Sequence, residues 1–193
     1  MAIACAVGKK LVVPPLGGIL KIKEFRLKAG LQTKKMISKD EFRAALSRFP
    51  SGVTIVTTKD KEGKLHGITV SAFASVSLEP PMVMVCVDKR AGSHYAFEES
   101  GAFIVHILAE ENEHHSNRFA SKIPDKFENV NYRNGIADIP ALENALVILE
   151  CRLAHAHEGG DHTIFVGEIE RAAINDGKPL VYWHGDYRKL EID

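Results

Sequence analysis

The stretch Gly67-Ile-Thr-Val-Ser-Ala-Phe-Ala-Ser-Val-Ser-Leu-Glu-Pro-Pro81, running into Met82-Val-Met-Val-Cys-Val-Asp-Lys89, decides how this chain is read. Small and hydroxylated residues crowd between two strand-like runs: Thr69, Ser71, Ala72, Ala74, Ser75 and Ser77. A buried hairpin ordinarily fills such positions with bulky β-branched or aromatic groups. Small side chains instead let a flat, polar-edged ligand lie against the backbone, while hydroxyl and main-chain N–H groups serve its heteroatoms. The same residues also suit a Ser/Thr-rich edge hairpin. The rest of the chain has to separate the two.

Length and composition set the frame. A chain of 193 residues suits one compact domain with a proper core. Its 25 lysines and arginines balance 25 aspartates and glutamates, which argues against a nucleic-acid surface. No apolar run approaches the roughly 20 residues of a membrane helix. The three cysteines, Cys5, Cys86 and Cys151, are odd in number and far apart, and read as reduced residues of a cytoplasmic protein. Nothing near Cys86 or Cys151 in sequence would lower a thiol pKa.

Residues 1–35 differ from the remainder. Pro14-Pro15 and Gly17-Gly18 break the apolar run Leu11–Leu20, no cleavage site follows closely, and Lys21–Lys35 is basic without a period. This segment is expected to be an extension outside a domain spanning 36–193. The domain opens with a capping box, Ser38 with Glu41, ahead of a helix placing Phe42, Ala45, Leu46 and Phe49 on one face. Strands are expected over Val53–Thr58, Ile68–Ala72, Met82–Val87, Phe103–Leu108, Leu146–His157 and Thr163–Ala173. Short helices are expected over Ser93–Ser100 and Glu110–Ser121. Few helices and strands mostly joined by turns favour a closed antiparallel barrel over a parallel sheet. Neither a Gly-x-Gly-x-x-Gly turn nor a Walker-type phosphate loop is present.

Three further clusters carry candidate chemistry. Gly159-Gly160-Asp161-His162 joins the last two long strands: its glycines allow a tight turn and close ligand approach, and Asp161 can orient the His162 ring. The segment Asp88-Lys-Arg-Ala-Gly-Ser-His94 leads into a helix that Ser93 can cap, with Lys89 or Arg90 beside its N-terminus. The tail, Gly177 to Leu190, closes on Tyr182-Trp183 and Tyr187. Nine histidines raise the question of a metal. His155 and His157 would share a strand face, but no acidic or cysteine ligand completes a set, and His114 and His115 should diverge around a helix. No metal site is expected.

The small-residue stretch, the Gly-Asp-His turn and the closing segment, in that order and spacing, resemble the short-chain flavin reductase family, the FMN-binding split barrels. The resemblance runs from about Ser38 to Leu190. It implies a mainly β fold: a six-stranded antiparallel split β-barrel of Greek-key type with a few short peripheral helices, dimerising and binding FMN, or FAD, near the subunit interface. It implies hydride transfer from NADH or NADPH to flavin, with no side chain needed as a strong acid or base and proximity as the main contribution. Thr69, Val70, Ser71, Ala72, Ser75, Val76 and Ser77 would cradle the flavin, and Asp88, Lys89, Ser93 and Arg118 would serve its phosphate. His162 and Tyr187 would meet the nicotinamide nucleotide. A flavin-dependent monooxygenase is the implied partner. One departure stands out: His106 occupies a position where family members often carry asparagine. A flavin-binding protein of the same barrel without turnover is the alternative. An oxidase of the pyridoxamine-phosphate type lacks the clustered basic residues its substrate phosphate would need.

Overall fold

The computed structural model describes residues 36–191, so the expected extension over 1–35 lies outside the described residues. The capping box forms as expected: the Ser38 hydroxyl accepts the Glu41 N–H at 3.1 Å, and the Glu41 carboxylate accepts the Ser38 N–H at 2.8 Å. It starts α1 (Lys39–Leu46). The chain continues through β1 (Ser51–Gly52), β2 (Thr54–Lys59), β3 (Leu65–Val70), β4 (Phe73–Ser77) and β5 (Met82–Asp88). Then come α2 (His94–Ser100), β6 (Ala102–Ile107), α3 (Glu113–Ala120), β7 (Tyr132–Asn134) and β8 (Pro140–Leu142). The long strands β9 (Val147–Gly159) and β10 (His162–Ile174) are followed by the short β11 (Val181–Trp183) and β12 (Asp186–Arg188). The helix expected over 110–121 breaks into a 3-10 turn, Glu110–Asn112, and α3.

Seven strands, not six, form one antiparallel sheet in the order β3-β2-β6-β9-β10-β5-β4. The strand missed in sequence is β4. Ala74, Ser75 and Ser77 carry little β-propensity, and their pairing with Met84, Val83 and Met82 is non-local information. The two edges of the sheet, β3 and β4, share no ladder, so hydrogen bonds do not close the barrel. The chain nevertheless forces those edges together. Only Ser71 and Ala72 separate them, a reach of about 11 Å at ~3.8 Å per Cα step. A flat seven-stranded sheet would hold its edges about 29 Å apart at ~4.8 Å per strand. The sheet therefore rolls until β3 and β4 meet at this corner.

Inside the roll, Val56, Val70, Val85, Phe103, Val105 and Phe165 make the main core. Phe97 of α2 plugs it, stacking on Phe165 at 4.9 Å, and α2 stops at Gly101, whose φ of 64° is the left-handed cap. The outer face is covered as well. Ile55, Leu108, Phe119 and Leu180 pack in a second cluster, and Ile104, Ile148, Ile136 and Ile139 in a third. That double burial explains why β2 and β6 are buried at five consecutive positions each rather than at alternate ones.

By contrast, α1 buries none of its own residues. Its expected apolar face exists, but Phe42, Leu46 and Phe49 are 54%, 52% and 73% exposed. No helix among the described residues is long and apolar enough to cross a membrane.

Candidate functional site

The corner where the sheet edges meet carries the small-residue stretch. The Thr69 hydroxyl donates to the Ser116 carbonyl of α3 at 2.7 Å, fixing α3 against β3. The side chain of Val70 lies in the main core. Ser71, Ala72, Ser75 and Val76 are exposed and Ser77 is half-buried. The hydroxyls of Ser71, Ser75 and Ser77 meet no hydrogen-bonding partner among the described residues. An exposed shelf of small side chains with open hydroxyls fits a flat heteroaromatic ring.

Beyond Thr69, the start of β3 borders a cleft of about 1060 Å³, closed by the turn at 90–93 and the segment 119–128. His66, Ile68, Arg90, Ser93, Lys122 and Lys126 line it. Gly67 is required here, because a Cβ on it would collide with the Phe119 ring and press on Phe127. Those two rings meet edge-to-face at 5.1 Å and form one wall. Lys126 Nζ donates to the carbonyls of Phe119 and Gly67 at 2.6 and 3.1 Å, and burial lowers its pKa. The Arg118 guanidinium donates to the carbonyls of Lys126 and Asp125 at 2.8 and 3.1 Å. Neither cation forms an ion pair with a carboxylate among the described residues; Lys126 lines the cleft, and Arg118 braces its 125–126 wall from behind. Phosphate suits such a place.

The expected cap on α2 does not form. Ser93 has φ −95° and ψ −6° and makes no side-chain cap bond. The preceding turn already serves the helix start, with the His94 N–H donating to the Ala91 carbonyl at 3.0 Å. Ser93 is buried and contributes to the cleft wall instead. Asp88 and Lys89 are also engaged locally. Arg90 donates to both Asp88 carboxylate oxygens, at 3.1 and 2.7 Å, and holds that carboxyl far below its usual range. Lys89 Nζ reaches the Glu158 carboxylate and the Gly160 carbonyl, and its N–H donates to the Asp161 carbonyl at 3.0 Å. Together they lock the end of β5 to the β9–β10 turn.

That turn is a two-residue hairpin with Gly160 at φ 76°. It presents His162 beside Asp88 in register. The expected local contact is there: His162 Nδ1 lies 2.7 Å from Asp161 Oδ1, and the imidazole draws the Asp161 carboxyl down. Tyr187 lies elsewhere, on β12, with its hydroxyl 2.8 Å from Ser116 Oγ and 3.2 Å from Asn117 Oδ1. Ser116 thus links Tyr187 to Thr69, while His162 belongs to the β5 end of the sheet.

Several other residues find structural places. His106 is wholly buried, with Nδ1 on the Ile55 carbonyl at 3.0 Å and Nε2 taking the Leu142 N–H at 2.9 Å. It stitches β8 to β2 and does not face the cleft lining. Glu150, 2% exposed, accepts from Arg133, Arg171 and the Ile136 N–H. Burial raises the Cys86 thiol and pushes Cys151 up to about 12, so both are poor nucleophiles. His155 and His157 share a face of β9 with rings 5.6 Å apart, whereas the His114 and His115 rings approach to 3.9 Å instead of diverging. His66, Lys126 and Phe127 were not anticipated as lining residues. Only the adjacency of His66 to Gly67 could have pointed to the first.

Residues 46–191 match the flavin reductase-like domain. An NADH-dependent flavin reductase from Rhodococcus is 44% identical over 154 residues, 78% of this chain and 85% of the relative. The reductase subunit of a flavin-dependent monooxygenase from Rhodococcus jostii is 37% identical over 165 residues, 85% of this chain and 84% of that protein. An NADH:FAD oxidoreductase from Streptomyces globisporus, solved with NAD and FAD fragments, superposes with a TM-score of 0.77 at 33% identity, covering 81% of this chain and 94% of that one. The fold, the corner of open hydroxyls and these likenesses agree: the chain belongs to the flavin reductase-like domain family.

Proposed function

We propose that this chain is an NAD(P)H-dependent flavin reductase, built as a split barrel that pairs with a second copy and delivers reduced flavin to a separate monooxygenase. The observation that carries the reading is the shelf at Ser71–Ser77, with its open hydroxyls, beside a cleft lined by Lys126, which forms no ion pair among the described residues. FMN, or the FMN half of FAD, matches both: a flat ring for the shelf and a phosphate for the cleft. Bound flavin would supply the hydride-accepting ring. Ser71, Ala72, Ser75 and Ser77 would hold that ring, Phe119 and Phe127 would wall the cleft, and His162, oriented by Asp161, would steer the nicotinamide nucleotide. The relatives that are monooxygenase reductase components support the partner. The uncovered apolar face of α1 supports the second copy.

Anaerobic oxidation of NADH and of NADPH, each with FMN, FAD and riboflavin, tests the proposal. Turnover of at least one flavin is expected. Flavin binding without turnover would make the chain a passive flavoprotein instead.

A further inference from the structure

Asp60 and His66 form a buried pair beside the cleft, 5% and 9% exposed. Asp60 follows the end of β2, and its Oδ1 accepts the N–H groups of Glu62 and Lys64 at 3.0 and 2.9 Å, fixing the turn into β3. Its Oδ2 lies 3.0 Å from His66 Nε2 and accepts from the Tyr95 hydroxyl at 3.1 Å. The imidazole contact above all, with the other hydrogen bonds, holds the Asp60 carboxyl down at about 2. An ionised carboxylate accepts only, so Nε2 carries the ring proton. Tyr95 also packs edge-on against the imidazole at 5.4 Å and fixes its plane.

This arrangement leaves Nδ1 as the open atom of a ring that is otherwise held on every side. Nδ1 meets no donor or acceptor among the described residues and is not sealed from solvent, and His66 is a lining residue of the cleft. Lys126 Nζ sits on the carbonyl of the next residue, Gly67. Against a phosphate anion, an imidazole that carries a proton on each nitrogen keeps the Nε2–H bond to Asp60 and donates from Nδ1. A core histidine with only a structural task, such as His106, has both nitrogens engaged. His66 has one engaged and one presented.

We infer that His66 Nδ1 binds a phosphate of the nucleotide ligand, with Asp60 and Tyr95 as the positioning residues and Lys126 as the neighbouring charge. The inference rests on the flavin-reductase reading. The phosphate can belong to FMN or to the pyrophosphate of the nicotinamide nucleotide, and the experiment separates the two sources.

Wild type, His66→Ala and His66→Gln are titrated with FMN and with riboflavin, which lacks the phosphate, and KM for NADH is measured in each. Gln keeps a donor for Asp60 and removes the ionisable nitrogen, so it serves if the Ala variant folds poorly. Loss of a charge-assisted hydrogen bond predicts about a 10- to 100-fold effect. If the flavin phosphate is the ligand, FMN affinity falls by that factor while riboflavin affinity holds. If the nicotinamide nucleotide is the ligand, both flavin affinities hold and KM for NADH rises. Equal weakening of FMN and riboflavin, or no change in any of the three, overturns the assignment. Inorganic pyrophosphate gives an arm independent of flavin. It should raise the melting temperature of wild type and not of His66→Gln; equal stabilisation of both, or of neither, also overturns it. A wild type that neither binds flavin nor oxidises NADH refutes the reductase reading, a result distinct from variants that match wild type.

Discussion

Burial of His106 makes the stability of this protein depend on pH. Its ring is fully buried, donates from Nδ1 to the Ile55 carbonyl, and accepts the Leu142 N–H at Nε2. A second ring proton would have to sit against that N–H, in a place without water. Burial accordingly lowers its pKa from 6.5 to about 4. The sign follows from proton counting. Above about pH 6.5 both folded and unfolded states are neutral here, and the contribution is complete. As pH falls below that, the unfolded chain takes the proton first, so stability drops until the folded ring also protonates near pH 4. A shift of this size, at about 1.36 kcal/mol per pH unit, totals about 3 kcal/mol, of which about 2 kcal/mol is lost between roughly pH 7 and pH 5. Asp60 titrates lower, at about 2, and does not interfere. Urea unfolding of wild type and His106→Asn at several pH values isolates the effect. The variant starts from lower stability but lacks this titration, so the gap between the two proteins should narrow by about 2 kcal/mol on going from about pH 7 to pH 5. A gap that stays constant across that range refutes the reasoning.

Local signals recovered what local physics decides. The Ser38–Glu41 box, the Gly101 stop and the Gly160-Asp161 hairpin turn are set by residues a few positions apart, and each is in place. What escaped is set by pairing across the chain. Ser75 opposite Val83 makes β4 a strand although its own residues argue for a loop, and that pairing turns the expected six strands into seven. The site divides the same way. The open hydroxyls at Ser71, Ser75 and Ser77 were legible, because small polar residues in a strand context are themselves unusual. The engagement of Lys89 with Glu158 was not, because 69 positions separate them. Nor was the pairing of Asp60 with Tyr95, 35 positions away. Polarity near a site can be seen in sequence, but whether a charge is already satisfied depends on contacts that only the fold supplies.

Ser75→Phe should leave folding nearly unchanged, because the position is exposed, while FMN affinity falls more than about tenfold; equal loss of both would point to ordinary packing damage. If a second copy pairs through the exposed face of α1, as proposed, Phe42→Glu with Leu46→Glu should give monomers in sedimentation experiments where the wild type gives dimers. A dimer that persists would place the interface elsewhere. His162→Ala tests the nucleotide side. The ring is 41% exposed and, among the described residues, bonded only to Asp161, so its removal should not disturb the fold, and flavin binding should survive. Losing one positioned hydrogen bond, about 0.5–1.5 kcal/mol, predicts a several-fold to tenfold rise in KM for NADH with FMN saturating. A fall in kcat larger than the rise in KM would show that the contact matters most while hydride is being transferred. Unchanged kinetics in a folded variant would reduce His162 to a turn residue, and collapse of FMN binding would move it to the flavin side of the site; either result removes it from the nucleotide.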